Sequence, residues 1–544
     1  MRFLIICSLF FCTSTFAGIY KWTDEKGKVH FSDKPPASKQ KNQVKQLKAS
    51  SGAARNKVAA AAKPPVTSPG TDFNSTKLQS KSQILQVRAM LYRGDYVRLK
   101  QRLTLLSQLR QQNPEAESDE VNAYRSFDVP TEQMAEHIRR WLASAPASYQ
   151  PYLARAQYHY AKAWQARGSR WASETEYTQI KAMQNYLQKA RTDIDVVLKR
   201  STKIPYAFRL AYSIYLLSDN KLVAQQKIEQ GVRLHPYSYS LGNIRMNFAK
   251  PRWGGSYQDM IAIVQEYEPA MPKHPSLLCL AAIPVVDVVD RAIRENRTST
   301  AISVVNKALQ DPQLQECPEL HYSLGRALYK KEKYREAIPS LLKAISLNGE
   351  DAKFYDKLAY SYFRVKDYPK AADAIALATA LKPADKTITR HKQDIAQHLA
   401  YEAAGDKDAS QRQKNLRLID LARDIAPGHY NVYYHRSDYF FNLGDYAAAE
   451  KELRKAIELK PNEFKLYQRI DYVIIKKNQD WNAITKLWLQ YLELKPNDSQ
   501  ALLEIGGSYY HWGRMKDALR YLDKSAQLGN VEAKNFANTL ASYR

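Results

Sequence analysis

The side chains that could break bonds, hold metal or carry a thiolate are few in this chain of 544 residues: 11 histidines and 4 cysteines, beside 55 aspartates and glutamates. The histidines are scattered, and none pairs with a second ligand at metal spacing. No phosphate-binding Gly loop, His-Glu-x-x-His, Cys-x-x-Cys or Gly-x-Ser-x-Gly occurs. Carboxylates on helical faces are ordinarily solvated, and a catalytic pair is assembled by a fold rather than by spacing. The inventory therefore points to recognition rather than bond-making, with no enzyme activity, cofactor or metal expected. Of the cysteines, Cys279 and Cys317 are the pair that could be joined. A bridge would close a loop of 38 residues and stabilise by roughly 4 kcal/mol in the chain-entropy model. Two buried small hydrophobes are the alternative reading.

Whether that pair meets an oxidant depends on the address. The chain begins MRFLIICSLFFCTSTFAG, with one arginine, an apolar run from Phe3 to Cys12, and small residues at Thr15 and Ala17. This is the pattern of a secretory signal, with cleavage expected after Ala17 and a periplasmic or secreted protein as the result. The apolar run is about half of the roughly 20 residues that a membrane span needs. The stretch from Leu277 to Val289 is also too short and carries Pro284 and Asp287, so it is expected to be a buried helix. The balance of 82 Lys+Arg against 55 Asp+Glu leaves a net charge of +27, which draws the protein toward anionic partners without choosing among them.

Those residues must be positioned by elements, and the elements change along the chain. Residues 18–36, GIYKWTDEKGKVHFSDKPP, alternate around Tyr20 and Trp22, turn at Asp24 to Gly27 and alternate again at Val29 to Phe31. A β-hairpin follows. This segment resembles a small N-terminal module of exported proteobacterial proteins, domain of unknown function 4124, through its Tyr-Lys-Trp strand, acidic-Gly turn and closing Asp-x-Pro-Pro. The resemblance implies a cell-envelope setting. Residues 37–81 read as a disordered basic linker, rich in lysine, alanine and proline. It is either a grip on an anionic surface or plain tether.

From about Ser82 the apolar spacing is helical, as at Ile84, Val87 and Leu91, then Leu99, Leu103 and Leu106. Ragged helix–turn–helix units fill residues 82–312. The segments Ala163 to Trp171 and Pro251 to Tyr257, with a near-regular unit at Phe208, Ala211, Tyr212, Tyr215, Ala224, Ile228 and Pro236, are similar to domain of unknown function 4034 over about 84–290. The Trp-Gly-Gly piece is expected to be a tight turn with Trp253 packed beneath it; a functional loop is the other reading.

Residues 313–544 repeat. The unit from Pro318 places His321, Leu324, Gly325, Leu328, Ala337, Leu341 and Ala344 where the unit 34 residues on has Tyr355, Leu358, Ala359, Tyr362, Ala371, Ile375 and Ala378. The pattern returns from Tyr430 and from Ser499. The unit between these two is one residue longer, and the region 386–427 is stretched, with its insertion expected at Gly405 to Asp408. Val531 to Arg544 would cap the stack. This resembles the tetratricopeptide repeat (TPR), in which small residues at positions eight, twenty and twenty-seven let paired helices approach. The fold class expected is all-α, a TPR-type solenoid with a small N-terminal hairpin.

In that family the first helix of each unit lines a concave wall. Carried over by position, the wall holds Tyr322, Arg326, Tyr329, Asp356, Tyr360 and Phe363, then Tyr434, Asp438, Phe441, Gln468, Tyr472 and Tyr510. Tyrosine combines a large apolar face with a hydroxyl and few rotors, which suits recognition. The expected function is an exported scaffold of the bacterial cell envelope that grips a protein segment in this groove. The alternative is a binder of an anionic polymer, polysaccharide or nucleic acid, through the basic surface and linker. An envelope glycan or lipid surface ranks ahead of nucleic acid among anionic partners.

Overall fold

The computed structural model describes the backbone of residues 20–23, 29–32 and 45–46, and residues 75–168, 174–406 and 408–542. The expected leader and its cleavage site lie outside the described residues. Strands β1 (Tyr20–Thr23) and β2 (Val29–Ser32) pair antiparallel, with Tyr20 opposite Ser32 and Thr23 opposite Val29. β3 (Lys45–Gln46) pairs with the other edge of β1, giving the order β2-β1-β3. The expected linker thus contains this short strand, and its last seven residues form helix α1 (Ser75–Lys81).

The chain divides into two compact units, Met1–Glu350 and Asp351–Arg544. In the first, α2 (Gln83–Tyr92), α3 (Tyr96–Gln112), α4 (Glu117–Arg125) and α5 (Glu132–Ser144) lead to the longest hairpin, α6 (Gln150–Arg167) with α7 (Tyr177–Arg200). Next come α8 (Pro205–Leu217) with α9 (Lys221–Leu234), then α10 (Tyr239–Phe248) and α11 (Tyr257–Tyr267). The pairs α12 (Ala282–Arg294) with α13 (Thr298–Ala308) and α14 (Pro318–Lys330) with α15 (Tyr334–Leu347) complete it.

The second unit starts with α16 (Ala352–Arg364) against α17 (Tyr368–Leu381) and α18 (Lys386–Gly405) against α19 (Arg412–Ile425). It continues with α20 (Tyr430–Asn442) against α21 (Tyr446–Leu459) and α22 (Phe464–Lys477) with α23 (Trp481–Leu494). It ends with α24 (Ser499–His511) against α25 (Met515–Gln527), and α26 (Val531–Ala541) as the cap. No described helix is long and apolar enough to cross a membrane.

The repeat positions explain the pairing. Ala337, Leu341 and Ala344, with their counterparts Ala449, Leu453 and Ala456, are all fully buried between paired helices. At position eight the approach is closest. A Cβ added to Gly325 would meet Leu341 at 2.6 Å, and one added to Gly506 would meet Leu522 at 2.7 Å. Overpacking should be felt in the same seam: Ala371→Leu or Ala456→Leu is expected to lower stability by about 1–2 kcal/mol, with damage confined mainly to adjacent units. Denaturant unfolding checks this, and unchanged midpoints in both variants would refute the register.

Five turns between paired helices reuse one device. A left-handed residue is followed by the residue that caps the second helix: Gly94–Asp95, Asp219–Asn220, Lys366–Asp367, Gly444–Asp445, Gln479–Asp480. The capping carboxylates or amide accept from backbone N–H groups of the helix they open. The first unit thus shares the turn of the second, although its sequence pattern is ragged.

Three carboxylates fasten the first unit over long sequence distances, each at a helix N-terminus, where the unpaired N–H groups and the dipole favour negative charge. Glu117 accepts from the Ser238 hydroxyl, and from the Ser240 N–H at 3.1 Å and the Ser240 hydroxyl at 2.8 Å, at the start of α10. Glu115 accepts from the N–H and hydroxyl of Ser276, both at 3.1 Å. Glu350 accepts from the Ser82 hydroxyl at 2.7 Å and the Gln83 N–H at 2.6 Å, so the last residue of the unit caps α2.

Cys279 and Cys317 are disulfide-bonded, with Cα atoms 5.3 Å apart. The bond ties the 3-10 helix Pro275–Leu280 to the start of α14. The apolar stretch from Leu277 to Val289 is not one helix: it divides between that 3-10 turn and the first half of α12. Pro284 falls in the first turn of α12, where its missing N–H costs nothing. Trp253 also departs from expectation. Gly254 has φ of +89° and makes the tight turn, but Trp253 is 47% exposed, leaning on Phe248 at 5.8 Å rather than packed beneath. The close packing in this turn is at Gly255, where a Cβ would fall 2.2 Å from the Ala249 carbonyl oxygen.

Candidate functional site

In the second unit the helices α16, α18, α20, α22 and α24 are the first members of their pairs, and side chains one repeat apart meet along them. Asp356 on α16 is nearly buried, with His391 Nδ1 of α18 at 2.8 Å from one carboxylate oxygen and 3.1 Å from the other. Tyr360 sets its ring edge-on to His391 at 4.6 Å and donates its hydroxyl to Asp394 at 3.4 Å. Phe363 meets the His398 ring at 5.2 Å. His398 lies 3.6 Å from Glu402. Burial acts to raise the Glu402 carboxyl, but the Tyr368 hydroxyl, Lys366 and His398 outweigh it and hold it below the usual range.

The next step of the wall is built around Arg469. Its guanidinium pairs with Asp438 at 2.7 Å and lies over the Phe441 ring at 4.4 Å and the Tyr472 ring at 5.7 Å. His435 sits 3.6 Å from Asp438 and edge-on to Tyr401 and Tyr434, each at 5.4 Å. Burial pushes the Tyr434 hydroxyl up, helped by Asp438 and opposed by Arg469. Gln468 is exposed and engages Glu504 of α24. Tyr510 stands apart, against Phe536 of the capping helix at 5.4 Å. Three rings stay open on this wall: Tyr401 is 61% exposed, Tyr472 44% and Tyr510 37%.

The residues carried over from sequence therefore separate. Tyr434, Asp438, Phe441 and Tyr472 gather round Arg469, whereas Asp356, Tyr360 and Phe363 contact α18. Tyr322, Arg326 and Tyr329 belong to the first unit. There Arg326 pairs with Asp290 of α12 at 2.6 Å and lies over the Tyr322 ring at 5.4 Å, and Tyr329 packs on Tyr334 at 5.2 Å.

Sequence reasoning missed Arg469 and all of α18. The insertion in that unit lengthens the first helix to 20 residues and adds a short 3-10 turn, Ala409–Gln411, so no repeat positions could be assigned. A signal was present: His391 and His398 each stand 35 residues beyond wall positions Asp356 and Phe363.

The wall's carboxylates are engaged by neighbours, and its open surface is aromatic. Among the described residues no group of three His, Cys, Asp or Glu is placed to hold a metal ion.

Comparison with known proteins identifies the repeats. Tetratricopeptide-repeat family models match residues 290–386 and 430–463. The chain carries tetratricopeptide repeats, and the all-α solenoid they build is the fold of its C-terminal half. Ahead of them, the model of domain of unknown function 4034 matches residues 83–192, and that of domain of unknown function 4124 matches residues 6–68.

The "TPR repeat-containing protein PA4667" of Pseudomonas aeruginosa is 26% identical over 143 residues, which are 26% of this chain and 24% of that protein. The chain thus spans about a quarter of the length of that curated relative. Among solved structures, the TPR domain of P58(IPK) is 12% identical and is 93% covered, with 65% of this chain matched and a TM-score of 0.21. YrrB, described as a TPR protein with an unusual peptide-binding site, is 14% identical and 97% covered, with 43% of this chain matched and a TM-score of 0.20. The C-terminal part of a TPR repeat-containing protein from Cytophaga hutchinsonii is 16% identical and 98% covered, with 46% of this chain matched and a TM-score of 0.29. TPR repeats support a protein-interaction scaffold.

Proposed function

We propose that the wall formed by α16, α18, α20, α22 and α24 binds an extended segment of a protein partner, and that the chain does this in the cell envelope after export. The observation that carries the reading is the set of open rings, Tyr401, Tyr472 and Tyr510, on the first helices of three different repeats. An exposed large ring is costly to leave in water and gives up little entropy when covered, so such positions anchor partners. The neighbouring carboxylates are held by His391, His435 and Arg469, which leaves the rings rather than free charge to select the ligand. The N-terminal leader pattern and the disulfide support the exported setting.

The test uses the full chain and peptides selected on it from a random library. Tyr401→Ala and Tyr472→Ala should each weaken binding by about 1 kcal/mol or more while leaving helicity unchanged. Selected peptides that bind both variants as tightly as the parent would refute the wall as the binding site.

A further inference from the structure

The first unit carries a second surface with a different chemistry. Along the seam between α6 and α7, cations alternate with aromatic rings. Arg200 lies over the Tyr152 ring at 4.6 Å, and Arg155 over the same ring at 5.6 Å. Lys162 and Lys189 both lie over Tyr186, at 5.7 and 5.4 Å. Because the two helices run antiparallel, these groups form a row about 15–20 Å long at 1.5 Å per residue.

The row is not neutral. Asp193 pairs with Arg155 at 2.7 Å, and Glu132, itself 87% exposed, reaches Lys162 at 3.4 Å. No carboxylate among the described residues pairs with Lys189 or Arg200. Arg200 donates to the Pro146 and Ser148 carbonyls, which leaves its charge intact. The imidazole of His159, set in the row, reports the local field: burial first, then Arg155 and Lys189, push it down to about 4.

We propose that this seam is a docking surface for an acidic polysaccharide, whose carboxylates recur along a stiff chain as the cations recur along the row. Charge complementarity selects an anion, and the remaining geometry selects its class. The Tyr152 and Tyr186 faces are already occupied by cations, so they do not offer the open stacking platforms that single-stranded nucleic acid uses. A duplex gains its affinity from many phosphate contacts, and two uncompensated cations supply few. An acidic peptide would be read by strand pairing or by apolar pockets, and two helices with satisfied backbones present neither. A lipid surface is met by a broad patch with an apolar rim rather than by a narrow line of charge.

Binding of the full chain to polygalacturonate, measured at low and high salt, tests the assignment. The parent should bind at low salt and weaken as salt rises. Lys189→Gln with Arg200→Gln should weaken binding about tenfold, and Lys189→Gln alone about threefold. Glu132→Gln, which frees Lys162, should strengthen binding about twofold, a gain that misfolding cannot produce. Tyr401→Ala and Tyr472→Ala should leave polygalacturonate binding unchanged, which separates this surface from the wall of the second unit. Parent-like binding by the double variant overturns the proposal. So does tighter capture of poly-glutamate, single-stranded DNA or phosphatidylglycerol vesicles than of polygalacturonate.

Discussion

Reducing the Cys279–Cys317 bridge, or replacing both cysteines by alanine, is expected to lower the stability of the first unit by about 4 kcal/mol. The bond closes a loop of 38 residues that includes α12 and α13, and opening it returns the entropy of that loop to the unfolded chain. Cys317 is also fully buried in the cluster of Ala282, Val289, Ala301, Val305 and Leu320, so alanine there loses packing as well. Denaturant unfolding with and without reductant checks the expectation, together with a thiol count in denaturant without reductant. Equal midpoints for the oxidised parent and the double alanine variant would refute it.

The second large effect is a pH dependence carried by His159. Its Nδ1 is buried without a partner, and burial with Arg155 and Lys189 pushes the ring down to about 4. In the unfolded chain the same ring takes a proton near the ordinary value of about 6.5. The unfolded state therefore binds the proton first. Stability from the neutral ring is complete above about 6.5 and is lost as pH falls toward 4, in total about 2–3 kcal/mol after allowing for solvent at the partly open edge. The buried carboxyls Glu117, Glu120 and Glu350, raised by burial, act with the opposite sign: their contribution is present in acid and is lost as pH rises through their folded values. The clean measurement is thus the difference between the parent and His159→Phe at pH 7.5 and at pH 4.5. That difference should move by about 2–3 kcal/mol in favour of the variant in acid. An equal difference at both pH values would show that His159 does not titrate this way.

What the sequence disclosed and what it hid follow from the range of the interactions involved. The positions that make paired helices fit, such as Gly325 against Leu341 and Gly506 against Leu522, recur at fixed spacing and are legible. So are the first helices of the regular units, which begin where the repeat register puts them. Where α18 lengthens, the register slips, and His391, His398 and Tyr401 drop out of view. In both units the turn is often made without glycine, with Asp219, Asn296, Lys366 or Gln479 in the left-handed region, which erases the punctuation that marks a repeat. Contacts such as Glu117 with Ser238 and Glu350 with Ser82 join residues more than a hundred positions apart, and no local pattern announces them. The cation-on-ring seam was hidden for a related reason: Arg200 meets Tyr152 only because two long helices fold back on each other.

The fastening of α2 by Glu350 has a consequence for the order in which this protein can be made. Synthesis delivers Ser82 and Gln83 first and their carboxylate 268 residues later. Until then the opening of α2 must rely on its own Ser82 hydroxyl, which accepts from the Leu85 N–H at 3.1 Å. A nascent chain halted at Asn348 therefore holds nearly all of its first-unit helices but lacks the last clasp, and its leading helix should exchange amide hydrogens faster than the same helix in the finished protein. The unit's beginning is completed by its end, which makes residue 350 a checkpoint in time as much as a place in the chain.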